Sequence, residues 1–419
     1  MPAVWIAVVV LSSFTSSGDG LIAIAEREAE REKAEKSKEV KGLILELSLS
    51  DNPQLAYVSE RLDKLINLGP AVMPALLEAI KGAGNDIDGT RRATNVAFAI
   101  GMILKDHPDP ATVETLKQTV SDGSLTTRAA AIRALGILAE PSALPLLEAA
   151  LAGSQIDLAV AAAAALGCYS SQESGAILHK ALQSPDAGLH RVVVHSLAQM
   201  QYGPALAELL DELPKSDLGD TRKEILAFAA KQGSIDALDK LDRFLGTPAP
   251  TDLRYAAIEA VRDIAKRGRT SDKSKAIAIL ARIVESPTDG LSERAAIALH
   301  LLGDDRGLDL VIEDESRMLR GNPKNFAARV SRARKYYAFQ RYGDAIKDCR
   351  AAIDAVRGQT STGPVNVLLA ACYAGMEDFK TARRFLEKSE LDSLKPLTET
   401  YPELAEMAKD PKYGKLFEK

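Results

Sequence analysis

Residues 127–136 read TRAAAIRALG, ten positions holding one threonine, two arginines and otherwise only small or aliphatic side chains. The pattern returns as LAVAAAAALG at 158–167, LHRVVVHSLA at 189–198, TRKEILAFAA at 221–230, LRYAAIEAVR at 253–262 and LSERAAIALH at 291–300, with a shifted copy, RRATNVAFAIG, at 91–101. Aligned on the penultimate core position, the copies give Ile100, Leu135, Leu166, Leu197, Ala229, Val261 and Leu299, at intervals of 35, 31, 31, 32, 32 and 38 residues. An interval in the low thirties holds two short helices and two turns, the unit of a solenoid in which each repeat touches only its neighbours.

A second helical pattern precedes each copy, for example MPALLEAI at 73–80, ALPLLEAAL at 143–151 and KAIAILARIV at 275–284. Breakers such as Pro70, Pro110, Pro141, Pro185 and Gly123 fall between the helices. Hydrophobic residues make up 46% of the 419-residue chain but aromatic ones only 5%. An apolar share dominated by Ala and Leu suits close-packed helices better than sheets. The expected fold class is therefore all-α, an α-α superhelix over residues 43–306.

The pattern resembles HEAT repeats, in particular the shorter HEAT-like units of phycobilisome lyases, whose second helix reads V-R-x-x-A-A-x-A-L-G; Thr127 to Gly136 carries that motif. The resemblance implies that the second-helix Arg bonds an Asp of the preceding turn, which pairs Arg128 with Asp122, Arg222 with Asp217 or Asp220, and Arg254 with Asp252. Alanine at the helix crossings lets neighbouring repeats approach and share one core.

From Asn322 the text changes to NPKNFAARVSRARKYYAFQRYGDAIKDCRAAIDAVR and then GPVNVLLAACYAGMEDFKTARRFLEKS. Ala333, Tyr336, Tyr342, Ala345, Cys349 and Ala352 recur 37 residues later as Ala370, Tyr373, Phe379, Ala382, Leu386 and Ser389. These segments resemble tetratricopeptide repeats, expected over 307–391 with a linking helix. Residues 392–419, with Leu394, Leu397, Leu404 and Leu416, resemble the ending that closes bacterial groups of such repeats. The positions that would hold the carboxylate-clamp Lys and Asn of chaperone-binding members are Val330 and Arg334, which disfavours that subgroup.

The N-terminal run MPAVWIAVVVLSSF is too short for a bilayer span of about 20 residues. It reads as an export signal over 1–25 with Ala23-Ile24-Ala25 as the cleavage site, although its leading end lacks Lys or Arg; an uncleaved apolar anchor is the alternative. No integral span is expected after cleavage, and the location expected is periplasmic or cell-envelope. EREAEREKAEKSKEV at 26–40 carries opposite charges at helical spacing and almost no apolar face, so 26–42 reads as a solvated helical spacer.

A net charge of −5 argues against a nucleic-acid partner. The chain has no G-x-S-x-G elbow, H-E-x-x-H helix, Walker loop or C-x-x-C pair, so neither an enzyme nor a cofactor is expected. His190 and His195 are five apart, a poor metal spacing, and GNDIDG at 84–89 lacks the calcium-loop acids; it reads as a turn whose Asp88 or Thr90 caps the next helix. In the tetratricopeptide register Cys349 and Cys372 fall on adjacent helices, where an exported chain has the option of joining them.

Function therefore points to a non-catalytic scaffold of an exported or membrane-associated bacterial-type protein, binding a protein or peptide on the concave side of the solenoid. The alternatives are a regulatory subunit of an exported enzyme, or a lyase-type chromophore-attachment factor. Two residues before each anchor stand Phe98, Arg133, Ala164, His195, Ala227, Glu259 and Ile297, a mixed row suited to a protein. The candidate binding residues are Arg334 and Tyr337 first, because Arg and Tyr most often anchor interfaces, then Arg133 and His195.

Overall fold

All seven anchors, from Ile100 to Leu299, are 0–1% exposed. The computed structural model describes residues 18–49, 56–285, 290–356, 362–391 and 393–418, and among these there are helices and turns but no strand. The protein is all-helical, its helices packed in a repeat, solenoid-like arrangement. It divides into two units, Met1–Ala205 and Leu206–Lys419. The apolar run of the expected export signal, 1–14, lies outside the described residues, and Ala23–Ala25 fall within the first helix. No helix among the described residues is long and apolar enough to cross a membrane.

The first unit contains α1 (Gly18–Glu46), α2 (Ala56–Asn67), α3 (Met73–Lys81), α4 (Ile87–Asp106), α5 (Pro110–Asp122), α6 (Leu125–Leu138), α7 (Leu144–Ala152), α8 (Ile156–Gly167), α9 (Gln172–Ala181) and α10 (Ala187–Gln199). The charged helix α1 ends in the body: Val40 and Ile44 are buried, and the buried Asn95 amide of α4 donates to Leu47 O at 2.8 Å.

The second helices α4, α6, α8 and α10 start at side-chain caps or turns and stack in order. Asp86 accepts from Gly89 N at 2.8 Å, Ser124 from Thr127 N at 3.3 Å and Asp186 from Leu189 N at 2.7 Å. The GNDIDG cap is thus Asp86, not Asp88 or Thr90; the helix begins at Ile87, so those two already lie inside its first turn. Such a cap contributes about 1 kcal/mol.

The glycine that ends the ALG motif has a steric reason. A Cβ at Gly136 would stand 2.4 Å from the Ala165 Cβ, and one at Gly167 would stand 2.8 Å from the Ser196 Cβ. α6 therefore crosses α8, and α8 crosses α10, at near-backbone distance, and the buried Ser196 hydroxyl donates across the latter crossing to Ala163 O at 3.1 Å.

The Arg–Asp ladder implied by the family resemblance takes another form. Arg128 Nε donates to Val120 O at 2.7 Å, at the end of the first helix of its own repeat, and its Nη1 to Gln155 Oε1 of the next turn at 2.9 Å. At the same repeat position His190 Nδ1 meets Leu182 O at 2.9 Å, Arg254 Nη2 donates to Leu245 O at 3.1 Å and Ser292 Oγ to Ile283 O at 3.4 Å. Arg222 Nε reaches the turn carbonyl of Gly219 at 3.4 Å, while Asp252 pairs with Lys223 at 3.2 Å. The last carbonyls of a helix have no intrahelical donor and are less exposed than the turn carboxylates, so they take the donor.

The second unit contains α11 (Leu206–Glu212), α12 (Thr221–Gln232), α13 (Ile235–Leu245), α14 (Thr251–Arg267), α15 (Thr270–Val284), α16 (Ser292–His300), α17 (Arg306–Val311) and α18 (Glu313–Gly321). Two helical hairpins follow, α19 (Phe326–Ala338) with α20 (Tyr342–Val356) and α21 (Gly363–Gly375) with α22 (Phe379–Glu387); α23 (Leu397–Thr400) and α24 (Pro402–Lys409) complete the chain. Ala333, Ala345, Cys349 and Ala352, with Ala370 and Ala382 in the second hairpin, are fully buried where helices cross. The tail residues Leu404, Met407, Tyr413 and Phe417 join Ala370, Ala374 and Leu386 in one apolar cluster, with Leu394, Leu397 and Leu416 at its edge.

Candidate functional site

In the first unit the row two residues before the anchors is accessible in every copy: Phe98, Arg133 and His195 are half-buried and Ala164 is exposed. Arg133 and His195 share this face but are not adjacent, because α8 lies between α6 and α10. Burial pulls the Arg133 guanidinium below its ordinary value, and the negative charge of Asp157 on α8 pulls it back up. In the second unit the corresponding positions are exposed Ala227 and half-buried Glu259 and Ile297, with Glu259 ion-paired to Arg294.

The first unit also carries an open cleft of about 600 Å³ lined by Leu104, Lys105, Pro108, Val113, Lys117 and Leu138 among others; Arg133 and His195 are not in it. Among the described residues no three His, Cys, Asp or Glu side chains are placed to hold a metal.

Arg334 and Tyr337 sit one helical turn apart on α19, with different surroundings. Arg334 is exposed. Tyr337 turns inward, its ring 6.0 Å from that of Tyr342 and 5.6 Å from that of Tyr401, edge-on to the latter. Its hydroxyl donates to one carboxylate oxygen of Glu403, and the Tyr342 hydroxyl donates to the other at 2.8 Å. Burial first, and then the bond to Glu403, push both phenols well above their ordinary value of 10.0. Burial also raises Tyr401, against the pull of the Arg334 charge.

Sequence reasoning passed over Glu403, which lies 66 residues from Tyr337 with no periodic signal linking them. It also passed over a paired-charge layer beneath the first hairpin. Asp348, 5% exposed, accepts from Arg329 at 3.0 Å and from Arg332 at 2.7 and 2.9 Å. Glu315 accepts from Ser331 and from Lys335, both at 2.8 Å. Burial works to raise Glu315, but these hydrogen bonds outweigh it and hold the carboxyl below its usual range.

Cys349 and Cys372 are free thiols in one buried cluster, so the optional disulfide is not formed here. Burial pushes the Cys349 thiol up to about 12, and Cys372 is raised as well, so neither is a nucleophile near neutrality.

Compared with known families, residues 73–167 match HEAT repeats. Over that stretch the chain is similar to HEAT repeats. The matched stretch runs from the first residue of α3 to the last of α8, and so contains the anchors Ile100, Leu135 and Leu166 with both close-approach glycines. Among solved structures, an engineered protein aligns at 18% identity with a TM-score of 0.43, covering 84% of this chain and 99% of that one. Human deoxyhypusine hydroxylase in complex with glycerol aligns at 18% identity with a TM-score of 0.26, covering 64% and 96%. No curated protein matches the chain.

Proposed function

We propose that this HEAT-like protein is a non-catalytic scaffold of the cell envelope that holds a protein or peptide partner. In this reading the hairpins α19–α20 and α21–α22 are tetratricopeptide repeats, the tail from Leu394 is their cap, and the N-terminal apolar run directs export. The observation that carries the reading is the second-helix row. The anchors are sealed in the core, while the residues two before them remain accessible at every copy, as an extended binding surface requires. Arg133 adds a partly desolvated cation to that row, and Arg334 adds an exposed one beside aromatic rings, the surroundings in which arginines anchor interfaces.

The test is affinity capture of the native partner with the full chain as bait, followed by titration of Arg133→Ala and Arg334→Ala. Loss of one anchoring arginine is expected to weaken binding by about tenfold or more. Unchanged affinity in both variants would remove these surfaces from the interface. N-terminal sequencing of the processed protein tests export, with Glu26 the expected first residue.

A further inference from the structure

Glu403 is the acid on which the aromatic face of the first hairpin closes. Its carboxylate is held at both oxygens by phenols from two different helices, Tyr337 on α19 and Tyr342 at the start of α20. A pair of hydroxyl donors set on a carboxylate's two oxygens is an acid-reading geometry, and hydrogen bonds to a charged acceptor are the stronger kind. The segment that delivers the acid enters like a bound peptide. Tyr401 is extended, with φ −122° and ψ 102°, Pro402 begins a helix, and Glu403 sits in its first turn. Tyr401 lays its ring edge-on to Tyr337, and exposed Arg334 stands at the rim, close enough for its charge to act on the Tyr401 phenol. The four-residue helix just before, Leu397–Thr400, contributes no buried residue, whereas Leu404 and Met407 just after are fully buried. Leu404 lies in the same first turn of α24 as Glu403, so displacing Tyr401-Pro402-Glu403 also disturbs its burial, which adds to what a competitor must overcome.

We propose that Tyr337 and Tyr342 form a carboxylate-reading site filled by the chain's own Tyr401-Pro402-Glu403, and that a partner peptide with an aromatic side chain two residues before an acidic one displaces this segment. The tail shows what chemistry the site accepts, and by occupying it sets a threshold that a partner must exceed. The proposal rests on the reading that the hairpin face binds a peptide, and names both the peptide's class and its competitor.

The experiment uses the full chain and a labelled synthetic peptide of residues 398–409, TETYPELAEMAK. Removing the competitor by Tyr401→Ala with Glu403→Ala is expected to tighten peptide binding by about tenfold or more over the wild type. In that background Tyr337→Phe with Tyr342→Phe, or Glu403→Gln within the peptide, is expected to weaken it by about tenfold or more. Equal binding by wild type and tail variant, or indifference to the Phe and Gln changes, overturns the proposal. Thermal melting controls for the fold; should the double-alanine chain not fold, the single Glu403→Gln chain takes its place, with the same readouts and the same expected changes. If the captured native partner depends on Arg334 but the peptide does not bind, this inference fails and the scaffold reading stands. If the partner ignores both arginines, it is the placing of the interface on these surfaces that fails.

Discussion

The crossings of α6, α8 and α10 in the first unit and the α19–α20 hairpin in the second solve the same packing problem by opposite means. The former lets helices meet at Gly136 and Gly167, where nothing larger than hydrogen fits, and leaves the accessible row beside them open. The latter sets two arginines on a buried aspartate and fills its aromatic face with the chain's own tail. Contact between like positions of successive repeats needs only small residues and can be copied without limit. A charged layer needs a particular partner at each site, and so belongs to one place in the chain.

The comparison breaks most severely at Asp348. Replacing it with alanine leaves two guanidinium groups without their shared buried carboxylate, a change that typically costs about 3–5 kcal/mol. Hydrogen exchange should show protection lost across α19 and α20 and retained across α4 to α8; uniform loss in both would mean that the layer is not local to the hairpin. The corresponding change in the first unit is Gly136→Val, whose side chain meets Ala165 at once. Overpacking of this kind costs about 1–3 kcal/mol, read as a lower denaturation midpoint. A midpoint equal to wild type would show that the α6–α8 crossing yields more easily than its geometry indicates.

Arg128→Ala tests the carbonyl closure within one repeat. Removing the donor to Val120 O should cost about 1 kcal/mol, with faster exchange at the end of α5. An equal loss from Asp122→Ala would restore the Arg–Asp pairing. The smallest effect is a pH dependence confined to the second unit. Tyr337 and Tyr342 have folded values above their ordinary 10.0, so the unfolded chain gives up these protons first. Their contribution is fully present below pH 10 and declines as the pH rises past it. Phenylalanine at both positions should flatten that decline in an alkaline stability titration.

What could be read from the sequence follows from the same contrast. The anchors, the alternation of first and second helices and the small residues at their crossings were legible because every copy repeats them at one position. The partner of Arg128 was not, since a backbone carbonyl has no letter in the sequence; the text offers only the nearby Asp122. Tyr337 was marked as an anchor from its residue type, but its engagement with Glu403 joins positions 66 residues apart that no periodicity connects. Asp348 reads as one more charge on a polar helix face, and only the packing of α19 against α20 shows that it is enclosed.

In four of the seven motif copies the second-position residue has a consequence for how such a chain can grow. Arg128, His190, Arg254 and Ser292 each close the end of the first helix of their own repeat, eight or nine residues upstream. A duplicate of one of these four repeats therefore arrives with its own stopper and does not take the donor of a neighbouring copy. Length becomes a property that selection can adjust one copy at a time.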